Sequence, residues 1–148
     1  MLFRSGNWYS VILLDIDHFK LFNDSQGHLK GDAILIDIGA ALEDSVRISD
    51  SIYRYGGEEF LAALPETSGE DAMLVANRIR DKIAPLKIPH PESPTNEFVT
   101  VSIGYTQDSS RQTTFLGTWQ HVVDRADRAL YSAKQNGEDR VEEWTETE

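Results

Sequence analysis

An α+β fold of the ferredoxin-like, split β-α-β kind is predicted for this chain by three observations. Stretches with strand and helix periodicity follow one another in the order β-α-β-β-α-β, with a further helix and a short strand behind them. The pair Gly56-Gly57 separates two short β-prone runs in the manner of a hairpin. The 148 residues, 40% of them hydrophobic, suffice for one core that takes roughly two-thirds of the unfolded surface out of water, so a single domain over residues 1–148 is expected.

The elements are read as follows. Trp8 to Ile16 is a strand whose run Val11-Ile12-Leu13-Leu14 suits burial on both faces, and it ends in carboxylates. Gly31 to about Val46 is a helix with Ile34, Ile38, Ala41, Leu42 and Val46 on one face. Ser51–Tyr55 and Glu59–Leu64 are the hairpin strands; tight turns of this kind call for positive φ, which glycine supplies, and Pro65 closes the second strand. Glu70 to Ala84 is helical, with Ala72, Val75, Ala76, Ile79 and Ile83 on its apolar stripe. Pro85, Pro89, Pro91 and Pro94 forbid its continuation and mark a loop. Phe98 to Tyr105 alternates as a strand, Asp108 to Thr114 reads as a polar loop, and Trp119 to Gln135 is a helix stopped by Gly137. Arg140 to Trp144 completes the order as a short strand. In this plan the helices cover one face of an antiparallel sheet.

Charge and composition exclude several classes. With 14 Lys and Arg against 25 Asp and Glu, a net charge of −11 argues against a surface built for a nucleic acid polymer, whose affinity comes mainly from neutralised phosphates. A small phosphate ligand held through metal ions remains compatible. There is no cysteine, which removes disulfides, thiolate zinc sites and a cysteine nucleophile, and fits a reducing cytoplasm. The strongest apolar run is too short to span a bilayer and the first ten residues lack the pattern of a leader, so no membrane contact by this segment is expected. The acidic C-terminal residues from Glu138 to Glu148 read as a solvated terminus.

Two acidic pairs carry the chemistry: Asp15 and Asp17 at the end of the first strand, and Glu58 and Glu59 just after the hairpin glycines. The topology brings these strand ends side by side. Two ionised carboxylates about 4 Å apart repel by about 4 kcal/mol at an effective dielectric of about 20, so such a cluster calls for a proton or a cation. Hard oxygen ligands suit magnesium or manganese better than zinc. Singly, each acid is better explained as a surface residue at a strand end; together with a diglycine turn, where backbone can approach a phosphate closely, they point to a nucleotide site.

The run Arg54-Tyr55-Gly56-Gly57-Glu58-Glu59-Phe60 resembles the signature of the GGDEF family of diguanylate cyclases in its Gly-Gly-Glu-Glu-Phe form, and Asp15-Ile16-Asp17-His18-Phe19-Lys20 is similar to the family's metal-binding first strand. Asn23-Asp24, Gly27-His28 and Gly31-Asp32 follow at the family's spacing, and the likeness runs from about Ser10 to Val141. The resemblance implies a nucleotidyl cyclase or polymerase palm-like fold. It implies that two GTP molecules are condensed into cyclic di-GMP with release of two pyrophosphates, by a homodimer whose subunits each hold one GTP. Residue by residue, it implies that Asp15, the Ile16 carbonyl and Glu58 hold Mg2+ or Mn2+. Asn23 and Asp32 would meet the guanine edge, a donor-acceptor match that adenine lacks. Gly56 and Gly57 would border the phosphates, and Lys20 and Lys134 would neutralise phosphate charge. Glu58 or Glu59 would accept a proton, and His28 would serve either the nucleotide or its own loop. Phe19 and Phe60 read as core residues.

Arg47-Ile48-Ser49-Asp50 resembles the family's Arg-x-x-Asp inhibitory site, placed at the usual interval before the diglycine, with Arg78 as a further contact to cyclic di-GMP. An ion pair at a helix end is the alternative for this string. Two departures stand out. Met1 to Ser10 lacks the family's Asp-x-Leu-Thr-Gly-Leu-x-Asn-Arg-Arg lead-in, so a shortened domain is expected, and Glu138 occupies a commonly basic position. They make a cyclic di-GMP receptor without turnover the alternative function. The family also implies a longer parent chain with an N-terminal sensory region.

Overall fold

The computed structural model describes residues 8–109 and 118–146. The residues read as the lead-in up to Asn7, and most of the polar loop after Asp108, lie outside them. Strand β1 (Trp8–Ile16) is followed by helices α1 (Phe19–Gln26) and α2 (His28–Ser45), strands β2 (Ser51–Arg54) and β3 (Glu59–Pro65), and helix α3 (Gly69–Ile83) with a 3-10 turn over Ala84–Leu86. Strand β4 (Val101–Ser109), helix α4 (Thr118–Gln135) and strand β5 (Val141–Glu143) complete it. Among the described residues the strands form one sheet in the order β2-β3-β1-β4-β5, antiparallel throughout except for the parallel edge pair β4 and β5. The expected α+β palm-like architecture is present.

β1 lies at the centre, which explains its uninterrupted apolar run. Ile12, Leu14 and Ile16 point to one face, where α1, α2 and α3 pack; Tyr9, Val11 and Leu13 point to the other, where α4 packs. The helices therefore cover both faces, not the single face the split β-α-β plan suggests. Phe19 and Phe60 are core residues, as expected.

Two local readings change. Phe19–Gln26 is a separate helix, hidden in the sequence because eight residues give scarcely two turns of periodicity and His18 ahead of it sits in the left-handed region without a side-chain cap. Gly27, with φ of 94°, makes the corner between α1 and α2. The strand read as Phe98–Tyr105 is shifted: Phe98 forms only a bridge with Pro89, while β4 continues to Ser109 because nine-residue β1 pairs with it as far as Trp8. Its polar residues are satisfied there, Gln107 Oε1 accepting from the Gly69 amide. Helix α3 is capped by Ser68, whose side chain accepts from the Asp71 amide. Among the described residues no helix is long and apolar enough to cross a membrane.

The seat of α4 is fixed by Gly104. A Cβ there would overlap the Leu130 amide nitrogen and the Ala126 carbonyl, so the helix lies on bare backbone of β4. Gly104→Ala should lower stability by about 3 kcal/mol, at the upper end for overpacking because backbone rather than a flexible side chain is in the way. Urea unfolding checks this; an unchanged midpoint would contradict the tight seat.

Candidate active site

The acidic residues sit where the core under α4 runs out. On that face β1 carries Tyr9, Val11 and Leu13, and the same alternation brings Asp15 and Asp17 next. β3 carries Ala63 and Leu61 and then Glu59, directly opposite Asp15. On β4, Gly104 is followed toward the strand's start by Ser102, the partner of Asp15 on the other side. Helix α4 lays down Ala126 and Leu130 and, one turn on, Lys134. One apolar stripe thus turns polar on four elements at the same end of the sheet.

Asp17 is the most enclosed of these groups. Its Oδ1 accepts from Ser102 Oγ at 2.7 Å and from Lys134 Nζ at 2.8 Å. Its Oδ2 accepts from Thr100 Oγ1 at 2.7 Å and from the Asp139 amide at 3.1 Å. The cation that Asp17 calls for is the Lys134 ammonium, and with three further protein donors its oxygens are already matched. Lys134 reaches on to Asp15 Oδ1 at 3.4 Å. Burial works against the ammonium charge, but Asp17 and then Asp15 outweigh it and raise the pKa of Lys134.

The three remaining carboxylates are less well matched. Burial first, opposed by Lys134 and reinforced by Glu59, pushes the Asp15 carboxyl up from 3.8 to about 6. Burial and the neighbouring Asp15 raise Glu58, again with Lys134 opposing. One ammonium does not balance this much acid, which is the condition under which a divalent cation binds favourably. Among the described residues no group of three or more His, Cys, Asp or Glu side chains is arranged to hold a metal unaided. A metal here would take Asp15 and Glu58, a backbone oxygen such as that of Ile16, and oxygens from its ligand; the oxygen donors suit Mg2+ or Mn2+.

The turn that carries Glu58 is wider than a two-residue hairpin. The Tyr55 and Gly56 amides donate to the Glu59 carbonyl at 2.7 and 3.3 Å, Arg54 closes the loop onto the Gly57 carbonyl at 2.7 Å, and the Ile16 amide ties it to the Glu58 carbonyl at 3.3 Å. Neither Gly56 nor Gly57 has φ in the left-handed region, contrary to the hairpin argument, because a longer loop needs no such turn. A Cβ at Gly57 would meet nothing within 4 Å, and one at Gly56 only ordinary contact. The fold itself does not ask for glycine at these two places.

The other expected residues gather around the α1–α2 corner. Asn23 presses against Gly31, where any Cβ would overlap its side chain, and its buried Oδ1 has no hydrogen-bond partner among the described residues. Asp32, next to Gly31, is exposed, as is His28 one turn earlier on α2. Lys20 is exposed and paired with Asp24 at 3.2 Å, without a contact to the acids of β1 and β3.

Arg47, Asp50 and Arg78 line one groove of about 210 Å³ between the end of α2 and α3. Asp50 accepts from the Arg47 amide at 2.8 Å and from its guanidinium at 3.2 Å, and that guanidinium also reaches the Pro65 carbonyl and Thr67. Arg78 donates to the Ser45 carbonyl at 2.7 Å, capping α2. Glu138, at the expected basic position, lies 2.8 Å from His18 Nε2 and accepts from Thr95 at 3.0 Å.

Sequence reasoning missed Thr100, Ser102 and Asp139 as partners of the site. The two hydroxyls were visible as an i, i+2 pair on the same strand face as Gly104.

A mixed sheet with acids and a lysine clustered at the end of its central strand defines the palm-like class of nucleotidyl cyclases. A family model described as "Diguanylate cyclase, GGDEF domain" matches residues 2–140, and the chain belongs to the GGDEF family. It is 41% identical over 132 residues to Diguanylate cyclase A of Treponema denticola, covering 89% of this chain and 34% of that protein. It is 37% identical over 143 residues to Diguanylate cyclase DosC of Escherichia coli, covering 95% of this chain and 29% of that protein. The chain thus spans about a third of the length of these curated relatives. Its structure is similar to the active GGEEF domain of a diguanylate cyclase from Vibrio cholerae, with TM-score 0.80, 32% identity, and 95% of this chain and 85% of that one covered. It is equally similar to the GGDEF domain of DgcB from Caulobacter crescentus in complex with c-di-GMP, with TM-score 0.80, 29% identity, and 93% and 78% covered.

The raised Asp15 carboxyl has a consequence for stability. A carboxyl whose folded pKa lies above its unfolded value binds more protons in the folded state between the two, so its contribution falls as pH rises from about 3.8 through about 6. Asp15→Asn should therefore stabilise the protein at pH 7 by on the order of 1 kcal/mol, discounted for partial solvent exposure, with the gain vanishing toward pH 4. Urea unfolding at both pH values checks this; a variant less stable than its parent at pH 7 would contradict it.

Proposed function

We propose that this chain is the catalytic domain, over residues 1–148, of a diguanylate cyclase, condensing two GTP into cyclic di-GMP with release of two pyrophosphates. The observation that carries the reading is the group Asp15, Glu58 and Glu59, short of positive charge, beside a diglycine turn whose glycines the fold does not require. Asp15, Glu58 and the Ile16 carbonyl would hold Mg2+ or Mn2+, which when bound offsets charge on the phosphoryl oxygens. Gly56 and Gly57 leave open the space that phosphates need. The unpartnered oxygen of Asn23, with exposed Asp32 alongside, suits the N1 and N2 donors of guanine. His28 lies on the same corner. Lys134 offers its ammonium to the triphosphate from beside Asp15, and Lys20 offers a second from α1.

In the reaction the 3′-hydroxyl of one GTP attacks the α-phosphate of the other and pyrophosphate leaves. Glu58 or Glu59 takes the hydroxyl proton. Two half-sites must face each other, so the active form is a homodimer. The work is cytoplasmic, and the parent chain carries an N-terminal sensory region. Cyclic di-GMP feeds back at Arg47, Asp50 and Arg78, whose shared groove supports such a site.

A second reading is favoured by Glu138, a carboxylate held by His18 and Thr95 where the resemblance calls for a base. In that reading the domain receives cyclic di-GMP at Arg47 and does not turn over GTP.

Pyrophosphate release from GTP and magnesium separates the two. Under the first reading the protein turns over, Glu58→Gln abolishes turnover while cyclic di-GMP still binds, and Arg47→Ala relieves product inhibition with turnover kept. Calorimetric binding of cyclic di-GMP with no pyrophosphate would leave the receptor, and equal loss of turnover in both variants would refute separate sites.

A further inference from the structure

We propose that Asp17 is the positioning residue of this site: it takes no metal, and acts by holding the Lys134 ammonium beside Asp15. For its kinetic consequence alone, this rests on the cyclase reading above. The Asp17 side chain is 1% exposed against 26% for Lys134, so the lysine can leave and the carboxylate cannot. A carboxylate offers about four lone-pair positions, and the donors Ser102, Thr100, Lys134 and the Asp139 amide take one each, leaving none for a cation. Of the two acids that Lys134 touches, Asp17 is the nearer, at 2.8 Å against 3.4 Å for Asp15. The flexible lysine is thus set by Asp17 and presented to Asp15.

The anchor is itself propped from outside. Arg80 Nη2, on α3, donates to the Asp139 carbonyl at 2.8 Å and to its carboxylate at 2.7 Å, and so pins the turn after α4 whose amide meets Asp17. Three elements converge on one carboxylate: β4 through Ser102, with Thr100 just ahead of the strand, α4 through Lys134, and α3 through the turn it clamps.

Asp17→Asn tests this selectively. The amide oxygen, placed at Oδ2, still accepts from Thr100 and from Asp139, and the Ser102 hydroxyl can rotate to accept from the new NH2. Lys134 has only donors and cannot. The variant should therefore melt within a few degrees of its parent yet lose the Lys134 anchor. In the unliganded protein, the Lys134 ammonium should give an NMR signal protected from exchange by its ion pairs, lost in Asp17→Asn. With GTP and magnesium, kcat/KM should fall by on the order of 10- to 100-fold, Lys134→Met should fall comparably, and the double variant should be no worse than Lys134→Met alone.

Additive losses, or an unchanged ammonium signal in Asp17→Asn, would overturn the assignment. Should Asp17→Asn fail to fold, Arg80→Gln is the second variant. It should weaken the Lys134 protection in the same direction, and full protection there would likewise overturn it. A parent that shows the signal change but never releases pyrophosphate would sink the cyclase reading and leave the anchoring role standing.

Discussion

Everything at the working end of this domain depends on one enclosed charge. Moving a carboxylate out of water costs several kcal/mol unless partners replace its hydration, and an unpaired Asp17 beneath α4 would not be tolerated. The hydroxyls of Ser102 on β4 and of Thr100 just before it, a main-chain amide and an ammonium supply that replacement. Because these donors come from elements far apart in sequence, satisfying Asp17 also fixes where β4, α4 and the turn before β5 end relative to β1. The apolar contact of α4 with the sheet sets the helix's seat, and the polar contact at its last turn sets its position along that seat.

The neighbouring acids show the opposite economy. Asp15, Glu58 and Glu59 are drawn together by strand register and by the wide turn, and burial, with the neighbouring carboxylates, raises the proton affinities of Asp15 and Glu58 against the opposing pull of Lys134. A fold selected for stability alone would place an amide or an apolar residue at Asp15. Residues that break local rules without a compensating partner are the mark of a site kept for its ligand. The glycines of the turn belong to the same pattern, being unexplained by backbone angle or by crowding.

The groove around Arg47 follows a different logic, since its charges already pair with one another. The side-chain contacts of Arg47 all use Nη2, while Nε and Nη1 make none among the described residues, so an edge of the guanidinium remains for a planar acceptor. The helix-end ion pair and a ligand site are therefore compatible descriptions of the same residues. Helix α3 borders both regions: Arg78 turns toward the end of α2, and Arg80, two residues on and so roughly 200° around the helix, turns toward Asp139.

Much of this was legible from residue spacing. The uninterrupted apolar run of β1 told that its two faces were buried, and the acids at its end told where the polar site begins. The diglycine and the acids after it located the facing hairpin. What could not be read were features set by tertiary contact. Helix α1 is too short for its periodicity to register, and β4 is extended by its long partner β1 rather than by its own alternation. The role of Asp17 was hidden for a related reason: Asp15 and Asp17 look alike in sequence, and what separates them is the company each keeps, Asp17 with four protein donors and Asp15 with one ammonium and competing carboxylates. Identical side chains two residues apart at the end of one strand meet opposite surroundings because burial and donors, not residue type, decide which of them keeps lone pairs unmatched.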